Sequence, residues 1–103
     1  MRKSHHLDEK EFRKRQLLEF PIQSTLDYHD RGILDAFDVL EIFEEFVDEC
    51  LSKNFYYVCI ICGTGKLVKP EMQKILKTHN LVESFTEGGY YTGGKGSFLV
   101  KLK

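Results

Sequence analysis

The seven residues Phe55-Tyr-Tyr-Val-Cys-Ile-Ile61 constrain this chain more than any other stretch. They form a continuous apolar run, too short to stand as a helix and rich in β formers, which predicts a strand buried on both faces. Residues 34 to 52 precede it with a different rhythm. Ala36, Val39, Leu40, Phe43, Val47, Cys50 and Leu51 recur at helical spacing and read as the inward face, while Asp35, Asp38, Glu41, Glu45, Asp48 and Glu49 populate the other side. Lys53-Asn54 closes that helix. Upstream, Gln23-Ser-Thr-Leu-Asp-Tyr-His29 has strand composition at its centre, with Leu26 and Tyr28 assigned to opposite faces and Asp27 and His29 sharing one. Asp30-Arg-Gly32 then supplies a turn. Strand, helix and buried strand in that order imply a parallel crossover.

The remainder extends the pattern. Cys62-Gly-Thr-Gly-Lys66 follows the buried strand directly. Pro70 is acceptable in a first helical turn and opens a second helix with Met72, Ile75 and Leu76 inward, ending near His79-Asn80. Leu81 to Thr86 reads as a third strand, and Glu87 to Gly96 as a loop holding five glycines. Ser97 to Lys103 is a final strand alternating Phe98, Val100 and Leu102 with polar partners. Near the start, Asp8 with Glu11 makes a capping box for a short helix through roughly Gln16, ended by Pro21. With 103 residues there is room for one core. The expected architecture is α/β: a two-layer sandwich, β-α-β-α-β-β in order with a mixed four-stranded sheet over residues 24–103, behind an N-terminal helical arm at residues 1–23.

A formal net charge of −1 argues against a wholly basic, nucleic-acid-coating protein, but it is a cancellation. Residues 1–23 hold six basic and four acidic side chains, residues 24–50 hold Arg31 against nine acids, and residues 51–103 hold eight lysines against three acids. Such asymmetry suggests one positive and one negative face, and the positive one is able to meet phosphate. No apolar stretch approaches the ~20 residues that cross a bilayer, and Met1-Arg-Lys-Ser-His-His leads into charge rather than a signal segment, so a cytoplasmic chain with no membrane partner is expected. Three cysteines cannot form a closed disulfide set, which suits a reducing compartment. Cys59 and Cys62 have CxxC spacing, yet three residues apart in a strand they point to opposite faces. With no second CxxC and no HxxxH, neither a metal nor a cofactor is expected.

Open α/β sheets bind ligands beyond the carboxyl ends of their parallel strands. That rule selects Asp27 and His29 at the end of the first strand and Gly63-Thr64-Gly65-Lys66 at the end of the second, adjacent if the crossover makes these strands neighbours. Gly63 and Gly65 let the backbone turn sharply and expose N–H groups, and Lys66 adds a cation, a combination suited to phosphate at a helix start. The spacing is neither a Walker loop nor GxGxxG, and a glycine turn needed only to enter the helix accounts for it equally. An imidazole titrates near ~6.5 and both gives and takes protons near neutrality. Asp27 lies about 6.6 Å from His29 along the strand, at a rise of ~3.3 Å per residue, so both reach one phosphate. The bland alternative is a histidine hydrogen-bonded to backbone. The loop 88–96, with Gly94, Lys95 and two tyrosines, has a composition that stacks on bases and contacts phosphate, or is simply a long hairpin connection.

Four segments then converge on one family. Leu26-Asp-Tyr-His29 resembles the LDxH motif of the Smr (small MutS-related) domain, and Cys62-Gly-Thr-Gly65 resembles its HGxG loop. Thr78-His-Asn-Leu-Val-Glu-Ser-Phe85 resembles its SHPxVxxF segment, and Gly93-Gly-Lys-Gly-Ser-Phe-Leu-Val100 its GGxGxxxV close. The arm looks like the extension of stand-alone bacterial members. The resemblance implies a sandwich similar to the C-terminal domain of translation initiation factor three. It also implies nucleic-acid binding, and endonuclease activity on DNA or on messenger RNA at stalled ribosomes, with links to ribosome rescue or to DNA repair and recombination. Asp27 and His29 match the positions tied to cleavage, and Gly63, Thr64 and Gly65 match the loop. Two positions depart: Asp30 stands where a glycine follows the motif histidine, and Cys62 where a histidine opens HGxG. An added carboxylate repels phosphate by roughly 1 kcal/mol if solvated.

The expectation is a monomeric endonuclease on single-stranded or structured RNA, or on DNA. Asp27 and His29 would be catalytic, with Cys62, Gly63, Thr64, Gly65, Lys66, Gly94 and Lys95 on the nucleic acid. The alternatives are a non-catalytic module binding nucleic acid or the ribosome, and a protein-interaction domain using the acidic helix 34–52.

Overall fold

The computed structural model describes residues 21–29, 31–33, 35–63, 65–88 and 96–103, so the expected N-terminal helix lies outside the described residues. The described elements are β1 (Ser24–Asp27), α1 (Ala36–Ser52), β2 (Tyr57–Ile61), α2 (Val68–Thr78), β3 (Val82–Glu87) and β4 (Ser97–Leu102). They form a four-stranded sheet in the order β1-β2-β4-β3. β1 runs parallel to β2, with Leu26 opposite Ile60, and β4 is antiparallel to both β2 and β3. The sheet is therefore mixed, as the order of elements implies.

The first helix begins and ends where its sequence has the means to do so. The Asp35 carboxylate accepts a hydrogen bond from the Asp38 N–H at 3.0 Å and caps α1. At the far end Asn54 adopts φ 61°, a left-handed conformation that asparagine tolerates, and the Phe55 N–H returns to the Cys50 carbonyl at 2.8 Å. Val39, Phe43, Phe46, Val47 and Cys50 are the residues α1 buries. This arc differs from the expected one: Phe46 joins the core, whereas Ala36 is exposed and Leu40 is 39% exposed. The arc is centred between Val39, Phe46 and Phe43, which leaves Leu40 on its flank. The Glu44 carboxylate, on that same flank, accepts from His79 Nε2 at 2.7 Å and ties α1 to the end of α2. The other ring nitrogen, Nδ1, accepts from the Leu81 N–H at 3.1 Å.

The core lies between the helices and one face of the sheet, where Leu26, Tyr28, Val58, Ile60, Cys62, Phe98, Val100 and Leu102 meet Val39, Phe43, Val47, Met72 and Leu76. Leu26 and Tyr28, assigned above to opposite faces, share this one at 2% exposure each, because residues two apart in a strand point the same way. On the opposite face Cys59 and Leu99 are buried with Tyr57 and Ile61 against them. β2 is thus covered on both sides, and its two cysteines do face apart.

Topology brings one end of the sheet into use. Asp27 pairs with Ile61, and Ile61 with Ser97, so β1 and β2 end where β4 begins. α1 and α2 both start at this end, and the Gly88 N–H closes the β3–β4 hairpin there on the Ser97 carbonyl at 2.8 Å.

Candidate functional site

β1 is held firmly just where its polar residues project. The Tyr28 N–H continues the ladder to the Ile61 carbonyl at 2.9 Å. The Tyr28 hydroxyl donates to the Val39 carbonyl at 2.8 Å, pinning the strand end to the first turns of α1. Burial pushes this phenol well above its ordinary range. Either side of this anchor, Asp27 and His29 come together on the other face. The His29 N–H donates to Asp27 Oδ1 at 2.9 Å, and the ring Nδ1 lies 3.3 Å from both carboxylate oxygens. The His29 backbone N–H, aided by the imidazole and by Arg31, holds the Asp27 carboxyl below the usual carboxylate range. With Nδ1 turned to the carboxylate, Nδ1–H is the favoured donor and Nε2 is the ring nitrogen directed away from Asp27.

The glycine turn is built differently from its expected form. Gly63 takes φ 79°, the left-handed region that favours glycine. Its N–H does not face outward: it donates to the Gly96 carbonyl at 3.1 Å, which also accepts from the Cys62 N–H at 2.6 Å. The approach is so close that a Cβ on Gly96 would lie 2.7 Å from the Gly63 oxygen. Cys62 offers no side chain to a ligand, being 5% exposed, and burial pushes its thiol up to about 12. Gly65 and Lys66 are exposed. α2 then starts at Leu67 with no side-chain cap, and Pro70 removes one donor from its first turn. Thr64, Gly94, Lys95 and Asp30 lie outside the described residues. Gly96, at the foot of the glycine loop, touches the Gly63 turn.

Three residues not singled out from sequence belong to this end. Arg31 turns back over β1, its N–H donating to the Tyr28 carbonyl at 3.0 Å and its Nε to the Asp27 carbonyl at 3.3 Å. The alternation Asp27, His29, Arg31 is the signal for it. Lys69 pairs with Glu87 at 2.7 Å, joining α2 to the end of β3; it follows Lys66 by one helical turn. Gly96 has no local signal, since its contact with Gly63 depends on the β2–β4 register. Among the described residues no group of three or more His, Cys, Asp or Glu side chains is placed to hold a metal ion. No described helix is long and apolar enough to cross a membrane.

A parallel β-α-β crossover, a histidine paired with a carboxylate at its first strand end, and a glycine turn at the second define an α/β domain with one concentrated polar edge. The family model of the Smr domain matches residues 27–103, and the chain belongs to that family. It is 26% identical over 104 residues to an "Endonuclease MutS2" of Clostridium botulinum, covering 100% of this chain and 13% of the relative. It is 31% identical over 84 residues to an "Endonuclease MutS2" of Listeria welshimeri, covering 81% of this chain and 10% of the relative. The chain thus spans only about a tenth of the length of these curated relatives. Its fold is that of the Smr domain of Thermus thermophilus MutS2, with TM-score 0.68 and 18% identity over 78% of this chain and 98% of that one. The stand-alone small MutS-related protein YdaL from Escherichia coli superposes with TM-score 0.71 and 19% identity, over 94% of this chain and 77% of that one.

Proposed function

We propose that this Smr domain is an RNA-cleaving phosphodiesterase acting on single-stranded or distorted RNA, with His29 as general base. The observation that carries this reading is the Asp27–His29 pair: Nδ1 sits 3.3 Å from both carboxylate oxygens at the end of β1. The carboxylate favours the tautomer with Nδ1–H inward, which makes Nε2 the basic ring nitrogen. Nε2 takes the proton of a 2′-hydroxyl, O2′ bonds to the neighbouring phosphorus, and the P–O5′ bond breaks. The departing O5′ takes a proton from water, the hydroxide so formed takes the proton held on Nε2, and the products are a 2′,3′-cyclic phosphate and a 5′-hydroxyl. Proton transfer of this kind contributes roughly 10²–10⁴-fold. Lys66, the uncapped start of α2 and Lys95 hold the flanking phosphates. That the relatives are named endonucleases supports a nucleic-acid substrate.

The test is incubation with labelled single-stranded RNA, single-stranded DNA and duplex, with and without chelator, for the wild type and His29→Ala. Cleavage of RNA that survives chelation and disappears in a folded His29→Ala protein is the expected result; cleavage unchanged by that substitution refutes the assignment. A second reading, a binding module without turnover, draws on one observation: the Gly63 N–H is committed to Gly96, which gives the glycine turn a structural task. Salt-sensitive binding without any cleavage would favour it.

A further inference from the structure

Resting on that reading, we propose that Arg31 is a further catalytic residue, the one that grips the scissile phosphate while His29 removes the proton. A dyad of neutral imidazole and carboxylate carries net negative charge, and a phosphodiester approaching it brings more. The reacting phosphorus accumulates charge on its non-bridging oxygens, so the site needs a cation within reach of both dyad and phosphate. Eight lysine and arginine side chains are described: Arg31, Lys53, Lys66, Lys69, Lys74, Lys77, Lys101 and Lys103. Lys53, Lys69, Lys74 and Lys101 are engaged with Glu49, Glu87, Glu71 and Glu83. Lys77, in the last turn of α2, and Lys103, just past β4, stand toward the opposite end of the sheet from His29. Among the described residues, that leaves Arg31 and Lys66 at the end where His29 lies.

Geometry separates these two. Both are exposed, Lys66 in the turn before α2. Arg31 is held at two points beside the dyad: its N–H on the Tyr28 carbonyl and its Nε on the Asp27 carbonyl. The Nε contact is to a peptide oxygen, so it orients the guanidinium without neutralising it. The Asp27 carboxylate is occupied by the His29 N–H and ring, and no ion pair joins it to Arg31. Both terminal nitrogens of Arg31 therefore carry donors in the planar fork that matches two phosphate oxygens. Asp27, His29 and Arg31, at alternate positions, thus supply orientation, proton removal and charge from one short segment.

The experiment compares wild type, Arg31→Ala, Arg31→Lys, His29→Ala and, as a remote charge control, Lys53→Ala, each checked for an unchanged melting temperature. The substrate is a fluorogenic single-stranded RNA. Arg31→Ala is expected to lower kcat by roughly 10²–10³-fold, the usual loss for a donor aimed at developing negative charge. Arg31→Lys recovers only part of it, and guanidinium ion in the buffer restores activity to Arg31→Ala but not to His29→Ala. Activity of Arg31→Ala within threefold of wild type, with His29→Ala inactive, overturns the assignment of Arg31 while the dyad stands. If His29→Ala cleaves normally or wild type does not cleave, the dyad reading fails, and Arg31 is judged by binding of a fully 2′-O-methylated oligonucleotide against salt. There Arg31→Ala should reduce the slope of log K on log salt by about 0.7, one phosphate's worth for a single strand. A slope equal to that of Lys53→Ala overturns the phosphate contact itself.

Discussion

Replacing Gly96 with alanine tests the structure at its tightest point. The added Cβ would sit 2.7 Å from the Gly63 oxygen, 2.8 Å from its carbonyl carbon and 3.0 Å from its Cα, all backbone atoms that cannot rotate aside. Reaching an ordinary contact of about 3.4 Å requires the two segments to part by roughly 0.7 Å. The Gly63 N–H to Gly96 oxygen distance, now 3.1 Å, would then pass the range of a hydrogen bond. Overpacking of this kind costs about 1–3 kcal/mol, and a weakened backbone hydrogen bond about 1 kcal/mol more. The sum, roughly 2–4 kcal/mol, corresponds to a fall in melting temperature of roughly 8–32 °C for a domain this small. The glycine series supplies its own controls. Gly65 has open space around it and no left-handed φ, so Gly65→Ala should be neutral or slightly stabilising. Gly63 has space but φ 79°, so Gly63→Ala should fall between, at about 1–2 kcal/mol. Thermal unfolding followed by circular dichroism measures all three. A Gly96→Ala protein melting within about 2 °C of wild type, or a Gly65→Ala protein as unstable as it, would show that the Gly63–Gly96 contact does not govern this end of the sheet.

Further expectations concern the buried and titrating groups. Cys50, Cys59 and Cys62 are all buried, and burial pushes each thiol up, which disfavours the reactive thiolate. Ellman's reagent should therefore label native protein slowly and denatured protein at three thiols; rapid labelling of one native thiol would contradict the packing. Tyr28→Phe removes the hydroxyl that donates to Val39 and should cost about 1 kcal/mol, or roughly 4–8 °C, by thermal melting; no change would mean that the hydroxyl does not anchor β1. The Asp27 carboxyl is held below its ordinary value, so its contribution is present above the unfolded carboxylate range and fades as pH falls through it. The gap in melting temperature between wild type and Asp27→Asn should accordingly narrow below about pH 4, and a gap that widens there would reverse the sign.

What the sequence made legible follows from the range of the interactions involved. The alternation that sets strand faces and the arc that sets helix faces are local, so the Phe55–Ile61 run, α1, α2 and the crossover between them could be read directly. Asp27 and His29 could be paired for the same reason, being two apart in one strand. Leu26 and Tyr28 share the core face by that same local rule, whereas the exchange of Leu40 for Phe46 is a small rotation of the α1 arc decided by the sheet beneath it. Long-range contacts were opaque. The Gly63 N–H seemed available for a ligand because nothing near it in sequence accepts it; its acceptor, Gly96, arrives through the antiparallel pairing of β2 with β4. Lys69 likewise looked like one lysine among several until β3 placed Glu87 within 2.7 Å.

The joint between Gly96 and Gly63 also bears on how such a domain can be altered. Segment 89–95 enters through Gly88, whose N–H is bonded to Ser97, and leaves through Gly96, bonded to Cys62 and Gly63. Both attachments are made by main-chain atoms outside the segment, so together they form a socket indifferent to what is inserted. Lengthening an unstructured insert is inexpensive, about 0.6 kcal/mol for each doubling. Segments of other lengths and charges can therefore be exchanged at this position as cassettes, while the sheet that carries the Asp27–His29 pair stays as it is.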